Sequence, residues 1–160
     1  MDLLFRYSFK LKNEMLMLYR LIFVSLFAMF GSIQAQVVII AHKDVPVEQL
    51  TQPQLLDFYT GDIKRWKNKD PVIVFTLKPK TAIQDSFFYL LGRTSSRMKS
   101  IWMKNMLSGE SDPPESLISE SAVLQRVSST PGAIGFVSQD SINDAVKTLM
   151  INKGKAWPLF

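Results

Sequence analysis

Short, continuous apolar runs separated by polar turns are the feature that most constrains the fold of this chain. They cover residues 37–41, 72–75, 133–137 and 149–151. Such runs are too short for helices, and the first two are rich in β-branched residues, which is typical of strands buried on both faces of a sheet. Gly135 inside the third run predicts the close approach of a neighbouring element.

Helix signals lie between these runs. Thr51 with Gln54, and Thr81 with Gln84, have the spacing of capping boxes. We expect the first helix to end at Gly61 and the second near Gly92. Two further helices are expected, one from Thr94 or Ser95 to Gly109 and one over residues 119–128.

Each predicted helix carries apolar residues, and in the second, third and fourth helices these form a stripe that we expect to face the core. They are Leu55, Leu56, Phe58 and Tyr59 in the first helix, Ile83, Phe87, Leu90 and Leu91 in the second, Met98, Ile101, Trp102 and Met106 in the third, and Val123, Leu124 and Val127 in the fourth. Strands that alternate with helices predict an α/β sandwich built on one, mostly parallel sheet.

The N-terminus predicts export. Residues 16–30 are almost wholly apolar with Arg20 as their only charge, and basic residues precede them. A basic leader, an apolar core and a closing small residue are the parts of a secretory signal peptide. We predict that residues 1–35 are a signal peptide cleaved after Ala35, and that residues 36–160 form one domain. Two alternatives stay open, an uncleaved N-terminal anchor and a start at Met15 or Met17.

The charge of the predicted domain is mild. Subtracting the four basic and two acidic residues of the leader from 19 and 14 leaves 15 Lys and Arg against 12 Asp and Glu. This balance gives no indication of nucleic-acid binding, which needs a concentrated basic stripe, but it is compatible with a small anionic ligand. There is no cysteine, which excludes disulfides and thiol chemistry, and the single histidine, His42, cannot make a zinc site alone.

The segment with most chemical potential is the strand, loop and helix start over residues 72–88. A strand that feeds a helix through a polar loop presents free backbone N–H groups and the positive end of the helix dipole at the edge of the sheet. Thr81 offers a hydroxyl there, and Lys78 and Lys80 add positive charge. These features favour a small oxyanion. The alternative is that Thr81 only caps the helix while both lysines are solvated.

A basic turn surrounds Trp66. Either the indole is presented for contact with a partner, or its ring packs on the domain while the lysines keep the turn soluble, and we favour the packed ring. The neighbours are Lys64, Arg65, Lys67 and Lys69.

No enzyme motif is present: the chain has no nucleophile elbow, no Walker loop and no dinucleotide-binding glycine pattern. Glu115 and Glu120 lie near serines, an arrangement too common to be specific. We predict no enzymatic activity, no cofactor and no metal site.

Three segments in order resemble the substrate-binding proteins of phosphate ABC transporters. Residues 55–66, LLDFYTGDIKRW, are similar to the family's I-F/Y-x-G-K-I-x-x-W stretch, and residues 130–137, TPGAIGFV, to its x-P-G-A-I-G-Y-V stretch. Between them lies the strand–loop–helix of residues 72–88. The resemblance implies one lobe of a type 2 periplasmic binding protein, with three α/β/α layers and a mostly parallel central sheet. It spans about residues 37–140, so a second lobe is not expected.

The resemblance also implies where a ligand would bind. Where the family has Gly-Ser-Gly-Thr at the helix start, this chain has residues 80–83, Lys-Thr-Ala-Ile, and the family's arginine falls near Leu77. The implied ligand-binding residues are Lys78, Lys80, Thr81 and Ala82. A lysine does not replace the bidentate guanidinium, and loss of the glycines restricts close backbone approach, so only weak binding is expected.

The resulting prediction is an exported, periplasmic, solute-binding-like protein that binds phosphate or another small oxyanion weakly, in connection with ABC-type transport or sensing. The expected partners are this oxyanion and a membrane transporter or sensor protein, and a homodimer would rebuild a two-walled cleft. The alternative is a periplasmic interaction or accessory protein that retains the lobe fold and no longer binds a ligand.

Overall fold

The apolar runs form the centre of a six-stranded sheet in the computed structural model, which describes residues 36–78 and 81–152. In the order β2-β6-β1-β5-β3-β4, only β1 runs against the other strands, so the sheet is mostly parallel, as predicted. The strands are β1 (Val37–Ala41), β2 (Gln49–Thr51), β3 (Ile73–Leu77), β4 (Glu115–Leu117), β5 (Ala133–Ser138) and β6 (Lys147–Asn152).

Four α-helices follow the predicted signals. Thr51 and Gln54 form the full capping box, and Gly61 ends the first helix in the left-handed region at φ 81°. Thr94 and Ser119 cap the third and fourth helices with their side chains. The helices are α1 (Gln52–Thr60), α2 (Ala82–Leu90), α3 (Ser95–Ser108) and α4 (Glu120–Ser129), and a 3₁₀-helix covers Gln139–Ser141.

Strand β5 separates the two helical layers because its side chains alternate between the faces of the sheet. On one face Phe136 stacks on Phe87 of α2, with ring centroids 3.9 Å apart. On the other face a Cβ at Gly135 would lie 2.7 Å from Val123 of α4, so glycine allows that helix to approach, as the sequence predicts. The fold is therefore the expected three-layer α/β/α arrangement.

Helix α3 packs on α1 and α2, outside the sheet. Met98 is buried, but Met106, predicted to face the core, is 43% exposed. The buried residue is instead Asn105, whose Nδ2 donates to the carbonyl of Thr60 at 2.8 Å. That carbonyl lies in the last turn of α1, where no helical N–H donates to it. A buried amide can donate to this carbonyl, whereas the thioether of a methionine cannot.

Trp66 packs as the favoured interpretation requires. It is 4% exposed and forms an edge contact with Phe58, with ring centroids 4.8 Å apart. Its Nε1 donates to the carbonyl of Gly132 at 2.9 Å, while the surrounding lysines are exposed. The basic turn is thus held to the domain by its tryptophan.

Within the described ranges, no helix combines the length and the apolar character that a membrane span requires. The predicted signal peptide, residues 1–35, lies outside these ranges and stays a prediction.

Gly132 offers a test of the packing around Trp66. Its φ is 76°, and a Cβ there would lie 2.4 Å from the carbonyl oxygen of Pro71. Gly109 is a matched control because its φ is 71° and a Cβ would meet nothing within 4 Å. We expect Gly109→Ala to cost about 1 kcal/mol of unfolding free energy through backbone strain alone, and Gly132→Ala to cost about 2 kcal/mol more through the clash.

Urea unfolding followed by tryptophan fluorescence measures both values. Equal losses in the two variants would contradict the close contact between Gly132 and Pro71.

Candidate functional site

The carboxyl ends of five parallel strands meet at one edge of the sheet, where ligands bind in open α/β folds. Three helices begin at this edge, α1 directly after β2, α2 after β3 and α4 after β4. Each delivers backbone N–H groups that have no acceptor within the helix. The edge is therefore where the predicted site must be assembled.

Thr81 is the N-cap of α2. Its backbone is extended, with φ −94° and ψ 139°, and its Oγ1 accepts the backbone N–H of Gln84 at 3.3 Å. The hydroxyl proton is still available for an acceptor, because capping uses only the oxygen lone pair. Ala82 follows as the first residue of the helix and is exposed. The structure thus supports the capping role of Thr81 and leaves a ligand role beside it.

Lys78 lies directly after β3. Its side chain is exposed, and its backbone N–H donates to the carbonyl of Leu117 at 2.9 Å, which fixes the chain where it leaves the sheet. Lys80, the second predicted lysine, lies outside the described residues.

Gln84 differs from its predicted role. The capping-box pattern assigns its side chain to the backbone N–H of Thr81, but its Nε2 instead donates to the carbonyl of Leu77 at 2.6 Å. The side chain is buried, only 4% exposed, and its Oε1 has no partner among the described residues. An unsatisfied buried acceptor costs about 1–3 kcal/mol, so this oxygen favours any ligand or water that brings a donor.

The sequence interpretation missed this residue as part of the site. The available signal was a glutamine in the first turn of a helix at the sheet edge, but only the structure shows that the helix turns it inward to Leu77.

Glu120 organises the neighbouring part of the edge. Its Oε2 accepts both the backbone N–H of Ser138 and the Ser138 hydroxyl, the latter at 2.7 Å. The Ser141 hydroxyl lies 2.9 Å from that of Ser138. Desolvation raises the pKa of Glu120, but the hydrogen bonds from Ser138 and Ser141 lower it more, so the pKa lies below its ordinary value.

Sequence shows Glu120 only as a glutamate near common serines, and the structure shows that it joins the start of α4 to the end of β5. Glu120 is ionised, and its carboxylate already accepts hydrogen bonds from Ser138. It therefore holds α4 to the end of β5 and places a fixed negative charge there. An anion at this edge is thus favoured near Lys78 and Thr81 rather than near Glu120.

His42 lies directly after β1, as expected of a strand-end residue. Its Nδ1 accepts the backbone N–H of Asp44 at 3.1 Å. Across residues 36–78 and 81–152, no three potential ligands lie close enough together to hold a metal ion.

Comparison with solved structures defines the class of fold. No protein-family model matches the sequence. An ABC-type phosphate transport receptor from Vibrio cholerae is 24% identical and has a TM-score of 0.58, with 77% of this chain and 48% of that chain covered. A Clostridium perfringens protein assigned as a phosphate ABC transporter substrate-binding protein, solved with bound phosphate, is 23% identical with a TM-score of 0.60, covering 72% of this chain and 44% of that one.

PstS from Borrelia burgdorferi has a TM-score of 0.53 at 13% identity, with 77% of this chain and 49% of that chain covered. The Vibrio cholerae and Clostridium perfringens neighbours are assigned to transport rather than to an enzymatic activity. This chain spans about half of the length of all three. The described part of the chain therefore has the fold of one lobe of a phosphate ABC transporter substrate-binding protein.

The lowered pKa of Glu120 predicts a pH-dependent contribution to stability. A carboxyl whose pKa is lower in the folded than in the unfolded state stabilises the fold above its unfolded pKa, and this stability is lost as the pH falls through the folded pKa. Glu120→Gln keeps an acceptor but loses the charge, so we expect it to cost about 1 kcal/mol at neutral pH. The difference from the parent protein should shrink as the pH falls below the ordinary value of 4.5.

Urea unfolding across this pH range measures the effect. Glu115→Gln is the control because Glu115 pairs with Arg126 on the surface, both about half exposed, where an ion pair contributes little. A Glu120→Gln deficit that does not change with pH would contradict the assignment.

Proposed function

We propose that this chain is an exported solute-binding protein that binds phosphate or another small oxyanion weakly at the start of α2. One observation carries the proposal: the capped N-terminus of α2 lies at the carboxyl edge of the parallel strands, beside Lys78. The fold supports it, since proteins with this fold include phosphate transport receptors, one of them solved with bound phosphate.

Each group at the start of α2 has a role toward an oxyanion. The backbone N–H groups of Ala82 and Ile83 lie at the positive end of the helix dipole and have no helical acceptors. The Thr81 hydroxyl donates, and Lys78 supplies charge without fixed geometry.

Affinity is limited by what the site lacks. No guanidinium fork follows β3, and residues 78–82 contain no glycine that would let an oxyanion approach the backbone closely. Each charged hydrogen bond contributes about 1.5–3 kcal/mol, so the loss of two reduces affinity by several powers of ten. We therefore expect dissociation constants of about 1 mM, far from those of a tight receptor.

Calorimetric titration of the full chain with phosphate, sulfate and chloride tests the proposal. We expect heat with phosphate and with sulfate in the millimolar range and none with chloride. Thr81→Val removes the hydroxyl and should weaken phosphate binding about tenfold or more, because a charged hydrogen bond is lost. Thr81→Ser keeps both the cap and the donor and should bind like the parent protein.

Lys78→Gln should weaken binding as well, whereas Lys67→Gln, an exposed lysine in the turn around Trp66, is the matched control. Titrations without heat at millimolar phosphate, or heat that is the same in Thr81→Val, would reject oxyanion binding at this site.

Export rests on residues 1–35 and has its own test. Expression in a Gram-negative host followed by intact-mass measurement should give a periplasmic protein that begins at Gln36. A full-length mass in the membrane fraction would instead support the uncleaved anchor.

A second candidate function is an interaction protein that keeps the lobe fold without a ligand. The observation that favours it is Gln84, whose Nε2 donates to the carbonyl of Leu77 and is therefore committed to the protein rather than to an oxyanion. The partner would be a transporter or sensor protein in the membrane, or a second copy that forms the opposite wall of the cleft. The calorimetric experiment separates the two functions, since this one predicts no heat with any oxyanion.

A further inference from the structure

The segment from α2 to the end of α3 has an unusual charge pattern. Residues 86–109 contain four basic residues and no acidic residue. All four are exposed, and none forms an ion pair with another described residue. They are Arg93, Arg97, Lys99 and Lys104. The Asp85 carboxylate accepts the Ser95 hydroxyl at 2.7 Å at the start of α3, but the four basic residues leave this surface net positive, and a positive surface attracts an anionic partner.

Exposed apolar side chains lie among these charges. On α3, Leu107 is 78% exposed, and Met103 and Met106 are about half exposed. Met103 and Leu107 are four residues apart and so lie on one line along the helix. The buried residues Met98 and Asn105 mark the opposite side, which packs on α1 and α2.

Lysines flank this apolar line. Lys99 lies one turn before Met103 on the same line, and Lys104 lies beside it. We call the surface formed by Lys99, Met103, Lys104 and Leu107 the α3 face. No described residue covers it, and its centre is apolar while its borders are basic.

A groove of about 750 Å³ adjoins the α3 face at the start of the helix. Arg93 and Arg97 line it together with Tyr89, which is 86% exposed, and Ile101 forms part of its floor. The groove adds two guanidinium groups and an aromatic ring to the same surface. A tyrosine with an apolar ring and a polar tip is typical of side chains at a membrane–water interface.

We propose that the α3 face and the adjoining groove bind the surface of a membrane that contains anionic phospholipids. Leu107 and Met103 enter the boundary between headgroups and acyl chains, and Lys99 and Lys104 extend beside them to the lipid phosphates. Long basic side chains bury their methylene groups while the charge stays hydrated, which is how helices lie in a membrane interface.

A protein partner fits this surface less well. The buried centre of a protein–protein interface is depleted in lysine, because each ammonium group would lose its water. Here Lys99 lies at one end of the apolar line and Lys104 lies along one side of it, so a protein that covered the line closely would desolvate both ammonium groups. The membrane surface leaves them in contact with water and phosphate.

The cysteine-free chain allows a site-specific test. Leu107→Cys, labelled with an environment-sensitive fluorophore, reports on the α3 face of the full-length protein. Gln125→Cys, exposed on α4 in the opposite helical layer, is the matched control. The vesicles are phosphatidylcholine alone, or phosphatidylcholine and phosphatidylglycerol in equal parts.

We expect the emission of the label at 107 to shift to shorter wavelength only with the phosphatidylglycerol vesicles, and the label at 125 not to respond. Lys99→Glu combined with Lys104→Glu should raise the lipid concentration needed for half of the shift by about tenfold or more. Raising the salt from about 0.1 M to about 1 M should also weaken it, since the Debye length falls from about 10 Å to about 3 Å.

Several results would overturn the proposal. An equal shift with phosphatidylcholine alone, or a shift that survives the charge reversal, would mean that another part of the chain, such as the apolar residues 16–30, brings the label to the membrane. A shift that depends on protein concentration without vesicles would show that a second copy covers the α3 face. No shift under any condition would leave the face without a membrane role.

Discussion

The stack between Phe87 and Phe136 determines how α1 and α2 pack on the sheet. The two rings are nearly parallel, at 7°, and Tyr59 packs on both, so one aromatic cluster joins α2, β5 and α1. The Tyr59 hydroxyl donates to the carbonyl of Phe75 in β3 at 2.9 Å, and its own carbonyl accepts the indole N–H of Trp102 in α3. Helix α2 is thereby fixed on the sheet, and with it the position of its N-terminus at the carboxyl edge.

Sequence predicted the parts of this arrangement that local chemistry decides. The caps at Thr51 and Thr94 depend on residues three positions apart and form as the pattern requires. The strands β2 and β4 could not be found in this way, because each has three residues and exists only through pairing with a distant strand, β6 or β3. The reversed direction of β1 has the same origin, since no residue within the run encodes which neighbour it will pair with.

The same distinction between local and long-range interactions applies to the candidate site. Capping is local, so sequence identifies Thr81, whereas the predicted bond from the Thr81 backbone N–H to the Gln84 side chain does not form and the Gln84 Nε2 donates to Leu77 instead. A capping box offers its side chain an exposed N–H, but the fold brings the carbonyl of Leu77 to within 2.6 Å in a buried place, where an unpaired carbonyl is more costly. Asn105 replaces Met106 in the core for a similar reason, because the end of α1 supplies a buried carbonyl.

Helix α2 also links the two basic surfaces. The Nε2 of Gln52, at the start of α1, donates to the carbonyl of Leu90 at 2.7 Å, so the C-terminal end of α2 lies near the carboxyl end of β2. Thr81 and Tyr89 are eight residues apart on this helix, which corresponds to about 12 Å. This separation slightly exceeds the Debye length of about 8 Å at physiological salt. Salt would therefore partly screen Thr81 from an anionic membrane bound at the groove, so the two proposed binding events need not exclude each other.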